Sequence, residues 1–323
     1  MIDIRDEQMF PNNVFVMDHL VENLDYIKDI DKIERIYTKK LKKARKSNKY
    51  DYYVFYASFD GWQNLFQNFV NNNDVIPITG NLDYTGDWKW FSHWMAVTDS
   101  IDPPATTYHI PKYRWQYWVR RPRPHRIHLI KEIAKRNIGH GDIIFPHHLI
   151  EPTGRTYPPT KELFQDDELY NSIQSQFNPA LDIPQGDNGA YVPSYDVRKD
   201  RAIDVVTETM TKDQGGIFLS EKTFKAIRAG QIPMVLGQKG TIASLRNYGF
   251  KTFDKWIDHS YDDTWNEKLK ASMIADELKR ISNMSQNDYE QMWHETYEDR
   301  LYNQSYKNYK LDHWKNYLNS FFV

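Results

Sequence analysis

The strongest constraint on the fold is the alternation of short apolar runs with longer segments of helical spacing. The runs at residues 14–17, 52–57 and 75–79 are rich in β-branched and aromatic residues, which is typical of strands. The segments between them place apolar residues three or four positions apart, which predicts helices. Strands joined by helices pair in parallel, because each helix returns the chain to the starting edge of the sheet. We therefore predict an α/β fold.

The same alternation restarts after residues 99–105, a Pro- and Asp-containing segment that is typical of a linker. Strands are predicted over 113–119, 142–145, 203–207, 216–219, 232–236 and 251–256. Helices are predicted over 124–136, 221–229 and 241–248, followed by an aromatic, helical tail. We therefore predict two Rossmann-like domains that face a cleft, over residues 1–105 and 106–323.

Composition narrows the class of protein. The 323 residues include 10 Trp, 22 Tyr and 16 Phe, far more aromatic side chains than a disordered chain carries. The 42 basic and 44 acidic side chains exclude a uniformly basic coat for nucleic acid, but they allow a local basic patch. Without cysteine, the chain has no disulfide framework and no cysteine-bound zinc. The acidic first residues and the lack of a long apolar stretch predict a cytoplasmic protein without a signal peptide or membrane span.

The first candidate site is the basic segment between the predicted strand 113–119 and the helix that begins at Pro124. It contains four arginines and one histidine: Arg120, Arg121, Arg123, His125 and Arg126. Guanidinium groups beside a helix N-terminus suit a diphosphate, because the forked donors and the helix dipole both attract an anion. The alternative is a solvated basic turn without a ligand.

The second candidate site opens the predicted helix 221–229. Ser220 is suited to cap this helix, and Glu221 lies in the first turn, where the helix dipole favours an acid. A carboxylate here can accept hydrogen bonds from ribose hydroxyls, and Lys222 can reach a phosphate. The alternative is a dipole cap with an exposed lysine. Glu208, at the end of the strand 203–207, is a further candidate for contact with the same ligand.

A third feature is a basic run without an acid between residues 35 and 49. Its central members are Lys39, Lys42, Lys43 and Lys46. Such a run can follow a phosphate backbone, although a solvated helix face has the same pattern. An Asp-x-Asp pattern, which can hold a metal ion after a strand, occurs only as Asp29-Ile30-Asp31 inside a predicted helix, where it is typical of a solvated face. We therefore predict no metal site.

Two segments carry a family resemblance. Phe218-Leu219-Ser220-Glu221-Lys222-Thr223-Phe224 and Ala229–Gly237 resemble the donor-binding signature of fucosyltransferase-like glycosyltransferases. Segments 78–82, 120–126, 249–253 and 257–262 are similar to those of uncharacterised bacteriophage glycosyltransferase-like proteins. The resemblance covers roughly residues 75 to 265.

The resemblance implies an inverting, metal-independent GT-B enzyme that uses a GDP- or UDP-linked sugar as co-substrate and has no permanently bound cofactor. Glu221 would hold the ribose, and Lys222 would hold the diphosphate together with an arginine of 120–126. If the protein is phage-encoded, it would work in the host cytoplasm.

An inverting transfer also needs a general base for the acceptor hydroxyl. We expect it in the N-terminal domain, with Asp60 as first candidate and Asp18 as second, because both follow predicted strands. A saccharide is the preferred acceptor, with Trp88, Trp90 and Trp94 as stacking surfaces. The alternatives are a hydroxymethylated base in phage DNA and a non-catalytic module that binds nucleotide sugars.

Overall fold

The fold contains two parallel sheets. The structure is a computed structural model that describes residues 14–19, 30–57, 62–79, 89–90, 108–119, 123–144, 162, 164–173, 198–213 and 216–321. Each sheet has four strands among the described residues, and every strand pair is parallel. The predicted α/β class with parallel strands is confirmed. The predicted linker 99–105 lies outside the described residues, so the domain division stays a prediction.

The first sheet has the strand order β1-β2-β3-β4. Its strands are β1 (Val14–His19), β2 (Tyr52–Ala57), β3 (Ile76–Thr79) and β4 (Lys89–Trp90). Helix α1 (Ile30–Lys46) connects β1 to β2, and α2 (Trp62–Asn73) connects β2 to β3. The buried rings of Tyr37, Phe55, Phe66 and Phe69 pack against one another with centroids 5.1 to 6.0 Å apart. This aromatic cluster is the core of the first sheet unit.

The second sheet has the strand order β6-β5-β7-β8. Its strands are β5 (Tyr113–Trp118), β6 (Gly141–Ile144), β7 (Arg201–Thr207) and β8 (Ile232–Leu236). The helices are α3 (Pro124–Lys135), α4 (Asp167–Ile173), α5 (Glu221–Arg228), α6 (Thr241–Asn247), α7 (Glu267–Ser282), α8 (Gln286–Glu295) and α9 (Tyr297–Phe321). Every residue of β7 is buried, as expected for an inner parallel strand.

The strand order creates a switch point between β5 and β7. The chain passes outward from β5 to β6, then crosses β5 and continues outward on the other side through β7 and β8. Loops that leave the carboxyl ends of β5 and β7 therefore diverge from the same place. In open α/β sheets this crevice is the usual ligand site.

The two sheet units share buried apolar side chains. Met210 follows β7 and Phe218 precedes α5, yet both belong to the buried cluster that contains Met17 of β1 and Tyr37 and Leu41 of α1. The loops that leave the switch point of the second sheet therefore pack with the first sheet unit.

Side chains of helix α9 form hydrogen bonds that hold the turn between α5 and β8. The Arg300 guanidinium donates to the Gly230 carbonyl at 3.1 Å, and the Gln304 amide donates to the Arg228 carbonyl at 2.5 Å. Asn303 accepts from the Lys251 N–H and donates to the Lys251 carbonyl. Arg300 is buried, with its guanidinium 3.3 Å from the centre of the Trp293 ring.

Two predicted strands are wrong. Segment 216–219 belongs to neither described sheet, because side chains bind its backbone: the Phe218 N–H donates to the Gln238 side chain. Segment 251–256 turns, with Phe253 at a φ of 64° and its carbonyl accepting from the N–H groups of residues 256 and 257. The Asn303 side chain holds both backbone groups of Lys251, where a strand neighbour would otherwise pair.

Candidate functional site

The basic segment 120–126, which follows β5, forms hydrogen bonds with the backbone just after β7. The Arg123 guanidinium donates to the Thr209 carbonyl at 3.0 Å, and His125 Nε2 lies 3.1 Å from the Glu208 carbonyl oxygen. A carbonyl only accepts, so Nε2 carries the imidazole proton. Burial, with Arg126 and Arg123 nearby, lowers the pKa of His125 to about 3, and the ring is neutral at physiological pH. Arg120 and Arg121 lie outside the described residues.

Arg126 is buried under the switch point. Its guanidinium lies within 3.4 Å of the Thr207 carbonyl, at the last residue of β7. The Tyr117 hydroxyl is a donor with two acceptors within reach, the Thr207 hydroxyl oxygen at 3.3 Å and the Arg126 carbonyl oxygen at 3.4 Å. Burial lowers the pKa of Arg126 to about 10, although Tyr117, Glu208 and Glu221 act in the opposite direction. The guanidinium therefore remains a cation, buried directly beneath the crevice.

Glu208 links this region to α5. Its side chain is fully buried, and its carboxylate accepts from the Ser220 N–H at 3.1 Å, from the Ser220 hydroxyl and from the Thr223 hydroxyl at 2.6 Å. Three donors on one carboxylate fix the first turn of α5 against the end of β7. These contacts give Glu208 a positioning role, while its predicted contact with a donor stays a prediction.

The start of α5 has the capping geometry expected from the sequence. The Ser220 hydroxyl oxygen accepts from the Lys222 N–H at 3.3 Å and from the Lys222 ammonium at 2.9 Å. The ammonium also lies 3.2 Å from a Glu221 carboxylate oxygen. The Lys222 side chain is 31% exposed and the Glu221 side chain 9%. Burial raises the pKa of Glu221, but Lys222 and Lys225 outweigh it and hold the pKa below its usual value.

Further polar side chains form a second layer behind the site, where they bind the backbone of its loops. The sequence did not predict this layer. The Gln238 side chain accepts from the Phe218 N–H at 2.8 Å and donates to the Lys212 and Gly216 carbonyls. The Lys270 ammonium donates to the Gly237 and Gln238 carbonyls at 3.1 and 3.0 Å. No motif marks Gln238 or Lys270, because their partners are backbone groups far away in the chain.

Asp262 completes this layer. One of its carboxylate oxygens accepts from the N–H groups of Ile242 and Ala243, in the first turn of α6, at 2.9 and 3.1 Å. The other lies 3.9 Å from the buried Lys270 ammonium. Burial lowers the pKa of Lys270 to about 8, and Asp262 and Asp263 oppose this effect. Asp262 lies within segment 257–262 of the family resemblance, and its local sequence predicts no role for it.

The remaining predicted residues fall in different places. Asp60, Trp88 and Trp94 lie outside the described residues. Asp18 is the fifth residue of β1, paired with Tyr56 of β2, but its side chain lies outside the described part. Trp90 lies in β4, also without a described side chain. The four central lysines of the basic run are exposed on α1.

A pocket of about 700 Å³ lies beside α6. It is lined by α6, by residues 254–263 and by Arg280, and no predicted donor-binding residue belongs to its lining. Arg246 pairs with Asp254, and Arg280 pairs with Glu277, both at 2.6 Å. Each of these two guanidinium groups is therefore paired with a carboxylate of the protein, as the Lys222 ammonium is paired with Glu221.

A scan against family models finds no match, and a search among curated proteins also finds none. Within the described ranges, no three His, Asp or Glu side chains are placed to share a metal ion. No helix built from described residues combines the length and the apolar character needed to cross a membrane.

Proposed function

We propose that this protein is a glycosyltransferase that moves a sugar from a GDP- or UDP-linked donor to a hydroxyl of a saccharide. The observation that carries the proposal is the meeting of two predicted sites at one switch point. The Arg123–Arg126 segment and the start of α5 both contact Glu208, through its backbone carbonyl and its carboxylate respectively. Parallel α/β sheets bind nucleotides in such a crevice.

The proposed donor pose follows from charge and exposure. Lys222 is the partly exposed cation at the start of α5, so it is placed to receive the diphosphate. Glu221, with its lowered pKa, is ionised at neutral pH and accepts hydrogen bonds from ribose hydroxyls. Buried Arg126 adds positive potential beneath the crevice. These charges stabilise the negative charge that develops on the leaving diphosphate.

In the proposed reaction the acceptor oxygen attacks the anomeric carbon as the bond from that carbon to the diphosphate oxygen breaks. The acceptor proton passes to a carboxylate, and attack from the opposite side inverts the anomeric centre. Asp60 and Asp18 are the proposed bases. Support for Asp18 comes from its place near the carboxyl end of β1, because ligands of parallel α/β sheets bind beyond the carboxyl ends of the strands.

Replacing Lys222 with alanine is expected to weaken nucleoside diphosphate binding about 10- to 100-fold, because a charge-assisted contact contributes about 1.5 to 3 kcal/mol. Isothermal calorimetry with GDP and UDP measures the change. Lys135→Ala is the matched control, since Lys135 is an exposed lysine that pairs with Glu132 on α3. Unchanged affinity in Lys222→Ala would contradict the donor site.

Chelation is expected to leave sugar transfer unchanged, because lysine and arginine take the place of a metal in the proposed site. Turnover of a GDP- or UDP-sugar in EDTA, compared with added Mg²⁺ or Mn²⁺, measures this. Loss of activity in EDTA that either metal restores would contradict a metal-independent mechanism.

Two other proposals are separable from this one. A non-catalytic nucleotide-sugar module would bind the donor but release no nucleoside diphosphate, whereas a transferase slowly hydrolyses its donor without an acceptor. A DNA-modifying enzyme would transfer the sugar to a duplex that contains a hydroxymethylated base, and such a base must leave the stack to react. A thermal-shift screen of nucleotide sugars identifies the donor in each case, because a bound ligand stabilises the native state.

A further inference from the structure

The exposed face of α1 is a continuous basic surface. Lys39, Lys42, Lys43 and Lys46 follow the spacing of neighbours on one helix face, within an arc of about 100° and over about 10 Å of helix. All four side chains are exposed. On the opposite face Tyr37, Leu41 and Ala44 are buried. We call these four lysines the α1 basic stripe.

The cations of the α1 basic stripe have no partners within the described ranges. Among the residues that the structure describes, none of the four ammonium groups forms an ion pair, a hydrogen bond or a contact with an aromatic ring. Two other cations of α1 do have partners: Arg45 donates to the Asn73 and Asp74 carbonyls, and Lys40 lies over the Tyr37 ring. On the second sheet unit, exposed arginines such as Arg246 pair with carboxylates.

The α1 basic stripe lowers the stability of α1 in the isolated protein, because its lysines repel one another. Lysines three or four positions apart on a helix repel one another, by about 0.2 to 0.5 kcal/mol for each pair. Residues 35–49 contain eight of the chain's 42 basic residues and none of its 44 acids. Asp31 and Glu34 precede the stripe and Asp51 follows it, so these acids flank its ends. A bound polyanion removes this repulsion.

We propose that the α1 basic stripe docks on the phosphate backbone of a polynucleotide. Each strand of duplex DNA carries a negative charge about every 3.4 Å of its axis, so about three phosphates of one strand lie along the length of the stripe. An anionic membrane fits the stripe less well, because helices that lie in a membrane surface insert an apolar face. The apolar face of α1 is already buried against β2 and α2. This inference does not depend on the proposed donor site.

The test compares two variants with equal loss of charge. The first replaces the four stripe residues (K39Q, K42Q, K43Q, K46Q), and the second replaces four exposed lysines of the second sheet unit (K112Q, K135Q, K251Q, K268Q). Glutamine keeps the helix propensity of lysine. Fluorescence anisotropy follows binding to an unmodified duplex of about 30 base pairs between roughly 50 and 200 mM salt.

The wild-type protein and the control variant are expected to bind with similar salt dependence. The stripe variant is expected to lose at least about tenfold in affinity, and its slope of log affinity against log salt is expected to become shallower by about 3 to 4. Absence of wild-type binding, equal loss in both variants, or binding to anionic vesicles in preference to DNA would overturn the proposal. If the stripe variant loses DNA binding but still binds GDP or UDP, the DNA result tests the stripe alone and not the proposed donor site.

Discussion

Replacing Glu208 with alanine is expected to lower the free energy of unfolding by about 4 kcal/mol. The substitution removes a fully buried carboxylate and leaves the Ser220 N–H and two hydroxyl groups without their acceptor. Each buried donor that loses its partner costs about 1 to 3 kcal/mol. Urea unfolding followed by tryptophan fluorescence measures the difference.

Glu208→Gln is the matched variant, because its amide oxygen still accepts hydrogen bonds in the same volume. Its expected loss is smaller, about 1 to 2 kcal/mol, because the amide oxygen keeps the Ser220 N–H and the Thr223 hydroxyl as donors and only the Ser220 hydroxyl loses its acceptor. A loss below about 1 kcal/mol in the alanine variant, or equal losses in both, would show that the carboxylate does not organise the start of α5.

Replacing Asp262 with alanine is expected to cost about 3 kcal/mol, because it removes the acceptor for two N–H groups of α6 and leaves the Lys270 ammonium buried without its nearest carboxylate. The expected consequence for Lys270 is a pKa further below its value of about 8. Chemical denaturation at pH 7 measures the loss of stability.

A double-mutant cycle with Lys270→Met tests the origin of that loss. If an unpaired buried cation causes part of the cost, the double variant will be more stable than the sum of the single changes predicts. Additive effects would instead assign the whole loss to the cap of α6. Thr264→Ala is a suitable control, because Thr264 lies in the same loop and its only described hydrogen bond is to the Asn266 N–H.

Local patterns predicted the strands that lie inside the sheets. The aromatic run 52–57 is β2 with the predicted bounds, and 232–236 is β8 with the predicted bounds. Buried parallel strands are short apolar runs between turns and helices, so the local pattern marks these two segments as strand candidates. The cap at Ser220 was also visible, because a serine before an acidic first turn is a local signal.

What the sequence could not show depends on distant partners. Segment 216–219 has the composition of a strand, but the side chains of Gln238 and Glu208 bind the amides of Phe218 and Ser220. The turn near Phe253 is held by Asn303, 52 positions from Lys251. The buried contacts of Lys270 likewise join residues more than 30 positions apart. Neither the hydrophobic periodicity nor the secondary-structure propensity of a segment indicates which distant residues will bind it.

The α9 contacts set an order for folding during synthesis. The Gly230 and Arg228 carbonyls are bound by side chains that lie 70 and 76 positions further along the chain. A ribosome adds about 5 to 20 residues each second, so the α5–β8 turn waits several seconds for these partners to be made. The first sheet can pair during this time, because its described strands all precede residue 91. The unit that carries the candidate site is therefore expected to mature last, and a nascent chain stalled before Arg300 would hold a folded first sheet beside an incomplete second one.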